Sequence, residues 1–125
     1  PKVISLNLKF DDALAHKIYA GSDIFLMPSK YEPCGLGQLI AFRYGTIPLV
    51  FKTGGLADTV NNKNGFIFDK YSKDELIRTI KASVAAFKEK KKWAGLVTGA
   101  MKLDFSWEES AKVYLGLYAK AKKAK

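Results

Sequence analysis

Apolar positions change their period several times along the chain. Residues 2–10 alternate: Val3, Leu6, Leu8 and Phe10 sit among Lys2, Ser5, Asn7 and Lys9, with Ile4 out of step. A period of two predicts a strand. "DDALAHKIYAGS" predicts a short helix that Asp11 or Asp12 caps and Gly21 closes. "DIFLMP" is a continuous apolar run ending at a proline, the pattern of a strand buried on both faces. Leu36, Leu39, Ile40 and Arg43 then recur at helical spacing, and Gly45 stops the run. "TIPLVF" predicts another strand, "KTGGLADTV" a glycine turn into a brief helix, "NNKNG" a turn, and "FIFD" a fourth strand.

From there the chain reads as helical. "YSKDELIRTIKASVAAFKEK" opens on a capping box, Ser72 with Glu75, and carries an apolar stripe of Leu76, Ile80, Val84 and Phe87. A further helix is expected over residues 93–102. "DFSWEESAKVYLGLYAKAKK" has a second capping box, Ser106 with Glu109. Trp93 and Trp107 are expected to pack helices on the sheet, and His16 to be structural. Strands alternating with helices predict an α/β fold: a partial doubly wound, Rossmann-like parallel sheet of about four strands, with helices on both faces. No repeat and no Gly/Ser linker divides residues 1–125, so one domain is expected. A doubly wound sheet usually has five or six strands. The first strand–helix units of this one are therefore expected to be absent.

Composition narrows the choice. Nearly half the residues are apolar, 48%, which suits a globular chain rather than a disordered one. No apolar run is long enough for a membrane span, and no signal-peptide pattern opens the chain. The single cysteine excludes an internal disulfide and a cysteine-built zinc site, and the single histidine excludes a histidine-rich site. This usage fits a reducing cytoplasm. Net charge is +9, concentrated in "KEKKK" (residues 88–92) and "KAKKAK" (residues 120–125). These lysines come without an arginine cluster or interleaved aromatics, so they read as solvated helix ends rather than a nucleic-acid surface.

The candidate chemistry lies in "SKYEPCGLG", residues 29–37, directly after the buried strand "DIFLMP". Ligands of open parallel sheets bind at the carboxyl ends of strands. A helix starting near Gly35 aims unpaired N–H groups and a positive dipole end at that edge. Gly35 and Gly37 carry no side chain to hold a ligand off the backbone. Glu32 is a poor neighbour for phosphate but a good acceptor for sugar hydroxyls, so the combination suggests a sugar joined to a diphosphate. A competing reading is a tight turn with Glu32 as helix cap. Gly54 and Gly55 follow another strand and are expected on the same edge. Cys34 has no histidine nearby in sequence and does not read as a nucleophile.

The run "PSKYEPCGLGQLIAFRYGTIPLVFKTGGLADTV", residues 28–60, closely resembles the bacterial glycogen synthases and plant starch synthases, retaining glycosyltransferases of the GT-B fold. "AHKIYAGSD" and "DFSWEESAKVY" extend the resemblance over nearly the whole chain. It implies transfer of glucose from ADP-glucose to the non-reducing end of an α-1,4-glucan, without metal or other cofactor, in the cytoplasm or, for a plant protein, the plastid. It implies that Glu32 is the acid that contacts the donor glucose, and that Cys34, Gly35, Leu36 and Gly37 contact sugar and diphosphate through the backbone. Thr53, Gly54 and Gly55 match the second glycine turn. Phe10 stands where relatives often have a tyrosine stacked on adenine. Gly37 stands where they often have threonine or asparagine, so a side-chain contact is lost. Ile40 stands where broader GT-B families have a second glutamate, which glycogen synthases also lack.

The resemblance further implies that the acceptor site belongs to an N-terminal domain, and that an arginine and a lysine on the diphosphate come from earlier units of the donor domain. Neither is expected in this chain, so the chain alone is expected not to transfer glucose. Two other readings stand beside this one: a non-catalytic module that binds nucleotide or self-associates through its C-terminal helix, and a related GT-B enzyme using a UDP-sugar.

Overall fold

The computed structural model describes residues 3–123. The elements run α1 (Asp12–Gly21), β1 (Ile24–Met27), α2 (Gly37–Tyr44), β2 (Ile47–Phe51), α3 (Gly54–Thr59), β3 (Phe66–Phe68), α4 (Lys73–Lys88), α5 (Lys90–Met101) and α6 (Trp107–Lys123). The strands form one parallel sheet in the order β1-β2-β3. Ile24 lies beside Ile47, Met27 beside Val50, and Phe51 beside Phe68. Parallel neighbours need a crossover between them, and α2 and α3 supply it. The middle strand β2 has four of its five residues buried, which is why "IPLVF" shows no alternation.

Local signals account for most boundaries. Asp11 caps α1, its Oδ1 accepting the Leu14 N–H at 2.9 Å. Gly21 is the last helical residue rather than the closing turn, and the chain leaves the helix extended at Ser22. Gly45 closes α2 with φ +76°, the left-handed conformation in which glycine has no Cβ penalty. Thr46, fully buried, ties the end of α1 to the start of β2: its single hydroxyl proton is shared between Tyr19 O (2.5 Å) and Ser22 O (2.9 Å). Ser72 Oγ accepts the Glu75 N–H at 3.3 Å, while the Glu75 carboxylate turns away to Arg78. The box at α4 is therefore half formed.

The core gathers Phe42, Ile47, Val50, Leu56, Val60, Trp93 and Ala100 between sheet and helices. Trp93 stacks on Phe66 and meets Phe87 edge-on. The parallel α/β class thus holds, but with three strands rather than four. Residues 3–10 form no strand or helix and pair with no strand among the described residues, and Lys2 lies outside them. Val3, Ile4, Leu6, Leu8 and Phe10 are each at least 77% exposed. Alternation supplies the side chains of a strand, but a strand also needs a hydrogen-bonded neighbour, and none lies beside this segment among the described residues.

Two helix faces also differ from expectation. The buried face of α2 is Gln38, Ala41 and Phe42, while Leu36 is exposed and Ile40 half-buried. In α4 the fully buried positions are Thr79 and Ser83, and Val84 points outward. Trp93 packs as expected, but Trp107 is 84% exposed. It opens α6, whose residues are all exposed from Ala111 to Lys123. No described helix is long and apolar enough to cross a membrane.

Candidate functional site

The site is set by register. With Met27 and Val50 side by side in parallel strands, the segments that follow them leave the sheet at the same edge. Residues 28–36 then meet residues 53–56. The Gly55 N–H donates to Glu32 O (3.0 Å) and Pro33 O (3.1 Å). The approach is so close that a Cβ on Gly54 would lie 2.1 Å from Glu32 O, and one on Gly55 would lie 2.2 Å from Cys34 O. Gly54 and Gly55 are thus glycines because another backbone occupies the place of their side chains.

The other two glycines also have internal reasons. Gly35 has φ +76°, and a Cβ there would lie 2.6 Å from Gln38 Oε1. A Cβ on Gly37 would press on the Phe25 ring and the Tyr19 hydroxyl, each at 3.1 Å. Clearing space for a ligand is therefore not what these glycines do. Their backbone N–H groups are another matter. The helix α2 starts at Gly37, later than expected, and its N-cap Leu36 makes no side-chain cap hydrogen bond. Among the described residues no backbone carbonyl accepts the N–H of Gly35 or Leu36. A left-handed residue followed by a right-handed one, Gly35 (φ +76°) then Leu36 (φ −108°, ψ −27°), curves successive N–H groups into a concavity that suits an anion.

Glu32 does not cap α2. Its carboxylate is half-buried and accepts the Ser29 hydroxyl at 3.3 Å through Oε2. Its remaining acceptor capacity is free for hydroxyl donors. Cys34 is an exposed free thiol. Thr53 is the N-cap of α3, in extended conformation, with no side-chain cap bond. Phe10 is not brought to this cluster: it stands 98% exposed at the end of the unpaired segment. His16 lies on α1 and hydrogen-bonds the Tyr44 hydroxyl at 2.9 Å, joining α1 to α2.

One residue of the site escaped the sequence reading. Gln38 is fully buried, and its amide Nε2 faces Cys34 O (3.2 Å), Gly35 O (2.9 Å) and Thr59 Oγ1 (3.2 Å). Thr59 in turn donates to Gly55 O at 2.7 Å. Only an NH2 can face two carbonyls, which fixes the amide's orientation. Its Oε1 is buried without a partner. Such an acceptor costs about 1–3 kcal/mol. The available signal was its place in the stretch Gln38, Ala41, Phe42, Gly45, a helical series in which the first member is polar.

A concavity of about 710 Å³ lies elsewhere, between α2 and the α5–α6 connection, with Leu39, Arg43, Leu103 and Phe105 in its wall. It includes none of the strand-end residues and holds little besides apolar surface and the Arg43, Lys102 and Asp104 charges. Among the described residues no group of three or more His, Cys, Asp or Glu could hold a metal ion.

Comparison with known proteins gives the family. Residues 7–94 match the family model described as glycosyl transferases group 1. Over 94% of its length the chain is 56% identical to a glycogen synthase of Clostridium kluyveri, covering 26% of that protein. It is 53% identical to the glycogen synthase of Thermotoga maritima over 97% of its length, again 26% of the relative. Among solved structures, it superposes with a TM-score of 0.80 and 42% identity on the catalytic domain of starch synthase IV from Arabidopsis thaliana, bound to ADP and acarbose. That match covers 90% of this chain and 25% of the other. A sucrose-phosphate synthase from Thermosynechococcus elongatus matches with a TM-score of 0.62 at 25% identity, over 86% of this chain and 27% of the other.

Proposed function

Because the chain belongs to the glycosyl transferases group 1 family, we propose that it forms the later part of the donor-binding domain of a glycogen or starch synthase. The parent enzyme transfers glucose from ADP-glucose to the non-reducing end of an α-1,4-glucan with retention, in the cytoplasm. The identity to glycogen synthases over nearly the whole chain supports this reading, as does the likeness to a starch synthase bound to ADP and acarbose. The observation that carries it is the meeting of residues 28–36 with residues 53–56 at the strand ends, where a carboxylate and an uncapped helix start lie together.

Each part has a task in such a transfer. When the bond between glucose and the diphosphate breaks, negative charge grows on the departing ADP. The N–H groups of Gly35, Leu36 and Gly37 are already aimed, so they stabilise that charge without reorganising. Glu32 accepts hydroxyl hydrogens of the glucose, and a carboxylate makes such bonds stronger than a neutral acceptor would. Cys34 contributes its backbone rather than its thiol. Thr53, Gly54 and Gly55 wall the other side. Phe10 stacks on the adenine once its segment is paired with a neighbouring strand. The acceptor glucan and the cations on the diphosphate come from other parts of the parent, so this chain alone binds donor and does not transfer.

Titration of the chain with ADP, ADP-glucose and UDP-glucose, followed by amide NMR shifts, tests this. Shifts confined to residues 32–37 and 53–56, larger for the ADP compounds, are expected. No shift at millimolar nucleotide, or shifts in the groove beside Arg43 and Phe105, would overturn the assignment. UDP-glucose as the stronger ligand would point to the UDP-sugar enzymes instead. The bare surface of α6 favours a second reading of the isolated chain, as a module that self-associates.

A further inference from the structure

We infer that Gln38 is a positioning residue for the reaction: its buried amide holds the turn at Cys34–Gly35 so that the Gly35 and Leu36 N–H groups face the donor diphosphate. This rests on the donor-site reading above and deepens it.

In a trans peptide the C=O of one residue and the N–H of the next point in opposite directions. Gln38 Nε2 draws Cys34 O (3.2 Å) and Gly35 O (2.9 Å) toward the protein interior. The N–H of Gly35 and the N–H of Leu36 belong to those same two peptides. They are therefore turned away from Gln38, toward the open side of the loop. A water-exposed side chain could not impose this, because solvent would compete for both carbonyls. Gln38 is fully buried, so its grip has no competitor.

The same amide reaches the second loop. Its nitrogen also lies 3.2 Å from Thr59 Oγ1, sharing a proton between that oxygen and one of the carbonyls, and Thr59 donates to Gly55 O at 2.7 Å. The Gly55 N–H then returns to Glu32 O at 3.0 Å. Gln38, Thr59, Gly55 and Glu32 thus form a continuous series of hydrogen bonds from the anion-facing turn to the sugar-facing carboxylate residue. Gly35 is shaped around Gln38 as well, since a Cβ there would strike Oε1 at 2.6 Å. The partnerless Oε1 is the cost of placing the NH2 where two carbonyls need it.

Gln38→Met keeps the length of the side chain and removes the donors. In the full-length protein we expect the Kd for ADP to rise about tenfold or more, the size of losing a hydrogen bond to a charged group. The KM for glucan should stay within twofold, about the scatter of such a measurement. A residue needed only for folding would instead lower the active fraction, reducing apparent kcat with both KM values unchanged. Gln38→Glu provides the second arm should the methionine variant fold poorly. Ionised, its carboxylate repels both carbonyls; protonated, it donates one hydrogen bond. Its ADP affinity should therefore recover toward the unmodified protein's as pH falls, while that of the unmodified protein does not follow the same profile. Binding of ADP by Gln38→Met within twofold of the unmodified protein, or no pH-dependent recovery in Gln38→Glu, would overturn the positioning role alone. Failure of the unmodified protein to bind ADP would overturn the donor-site reading, and this inference with it.

Discussion

Replacing Gly55 by alanine is a test of the two-loop contact itself. The new methyl would lie 2.2 Å from Cys34 O and 2.7 Å from Cys34 C and Cα, all backbone atoms that cannot rotate away. Relief requires the loops to part by about 1 Å, since ordinary contact begins near 3.4 Å. Parting by that much carries the Gly55 N–H out of range of Glu32 O and Pro33 O, now 3.0 and 3.1 Å away. Overpacking costs about 1–3 kcal/mol, and each lost hydrogen bond about 0.5–1.5 kcal/mol. Because these losses are alternatives as much as additions, we expect about 2–4 kcal/mol in total. For a domain of this size that is a fall in Tm of roughly 10–15 °C. Gly99→Ala is the matched control: it is interior to α5 with no atom within 4 Å of the added methyl. It should stabilise by about 0.5–1 kcal/mol through helix propensity and a stiffer unfolded chain. Urea unfolding of both variants decides the matter. A Gly55→Ala protein within about 0.5 kcal/mol of the original would mean that the loops yield at no cost and do not form a fixed site.

Glu32→Gln in the full-length enzyme should lower glucose incorporation into glycogen from ADP-glucose by at least about a hundredfold, the scale of losing one oriented contact to the reacting group; incorporation near the original rate would remove Glu32 from the site. Asp11 is held below the usual carboxylate range by Lys9 and then by the Leu14 N–H, and Asp104 by the Ser106 N–H and hydroxyl. With folded values depressed, their stabilisation is present above the ordinary carboxylate value of 3.8 and is lost as pH falls through the lower folded values. Melting curves against pH should therefore show Asp11→Asn and Asp104→Asn less stable than the original at neutral pH and converging with it in acid. The apolar residues of α6 should drive self-association that strengthens as salt screens Lys112, Lys120, Lys122 and Lys123; sedimentation showing a strict monomer at low and high salt would contradict this.

Much of the fold was legible because the apolar runs are clean. "DIFLMP" and "TIPLVF" read as strands, and Gly45 as a helix stop, on local grounds alone, but burial on both faces, expected of the first, belongs to the second: β1 is the sheet edge and its Leu26 is 46% exposed. The strand expected over residues 2–10 failed because pairing is not a local property: Leu6 and Leu8 alternate correctly and still lie in solvent. The face of α2 was misread because a buried glutamine breaks the apolar stripe, and a stripe is all that periodicity detects. At the site, the place of residues 29–37 and 53–55 followed from strand ends and glycine turns. Why those glycines are glycines did not, because Gly55 answers to Cys34, and that contact is invisible until the two strands are in register.

The two ends of the proposed donor site are therefore held by different forces. The segments carrying Glu32, Gly35, Leu36 and Gly55 follow β1 and β2, of which β2 lies in the buried core, and Gln38 holds the Cys34 and Gly35 carbonyls from inside. That half of the site is rigid for the same reason the core is. Phe10 belongs to a segment with no neighbour, and its ring is in solvent. A base stacked there would gain nothing until the segment is fixed, and fixing residues 3–10 costs about 1–2 kcal/mol of backbone entropy per residue. On the proposed reading, the backbone N–H contacts to the diphosphate and the Glu32 contact to the sugar belong to this chain, while the contact to the base depends on a strand placed beside it.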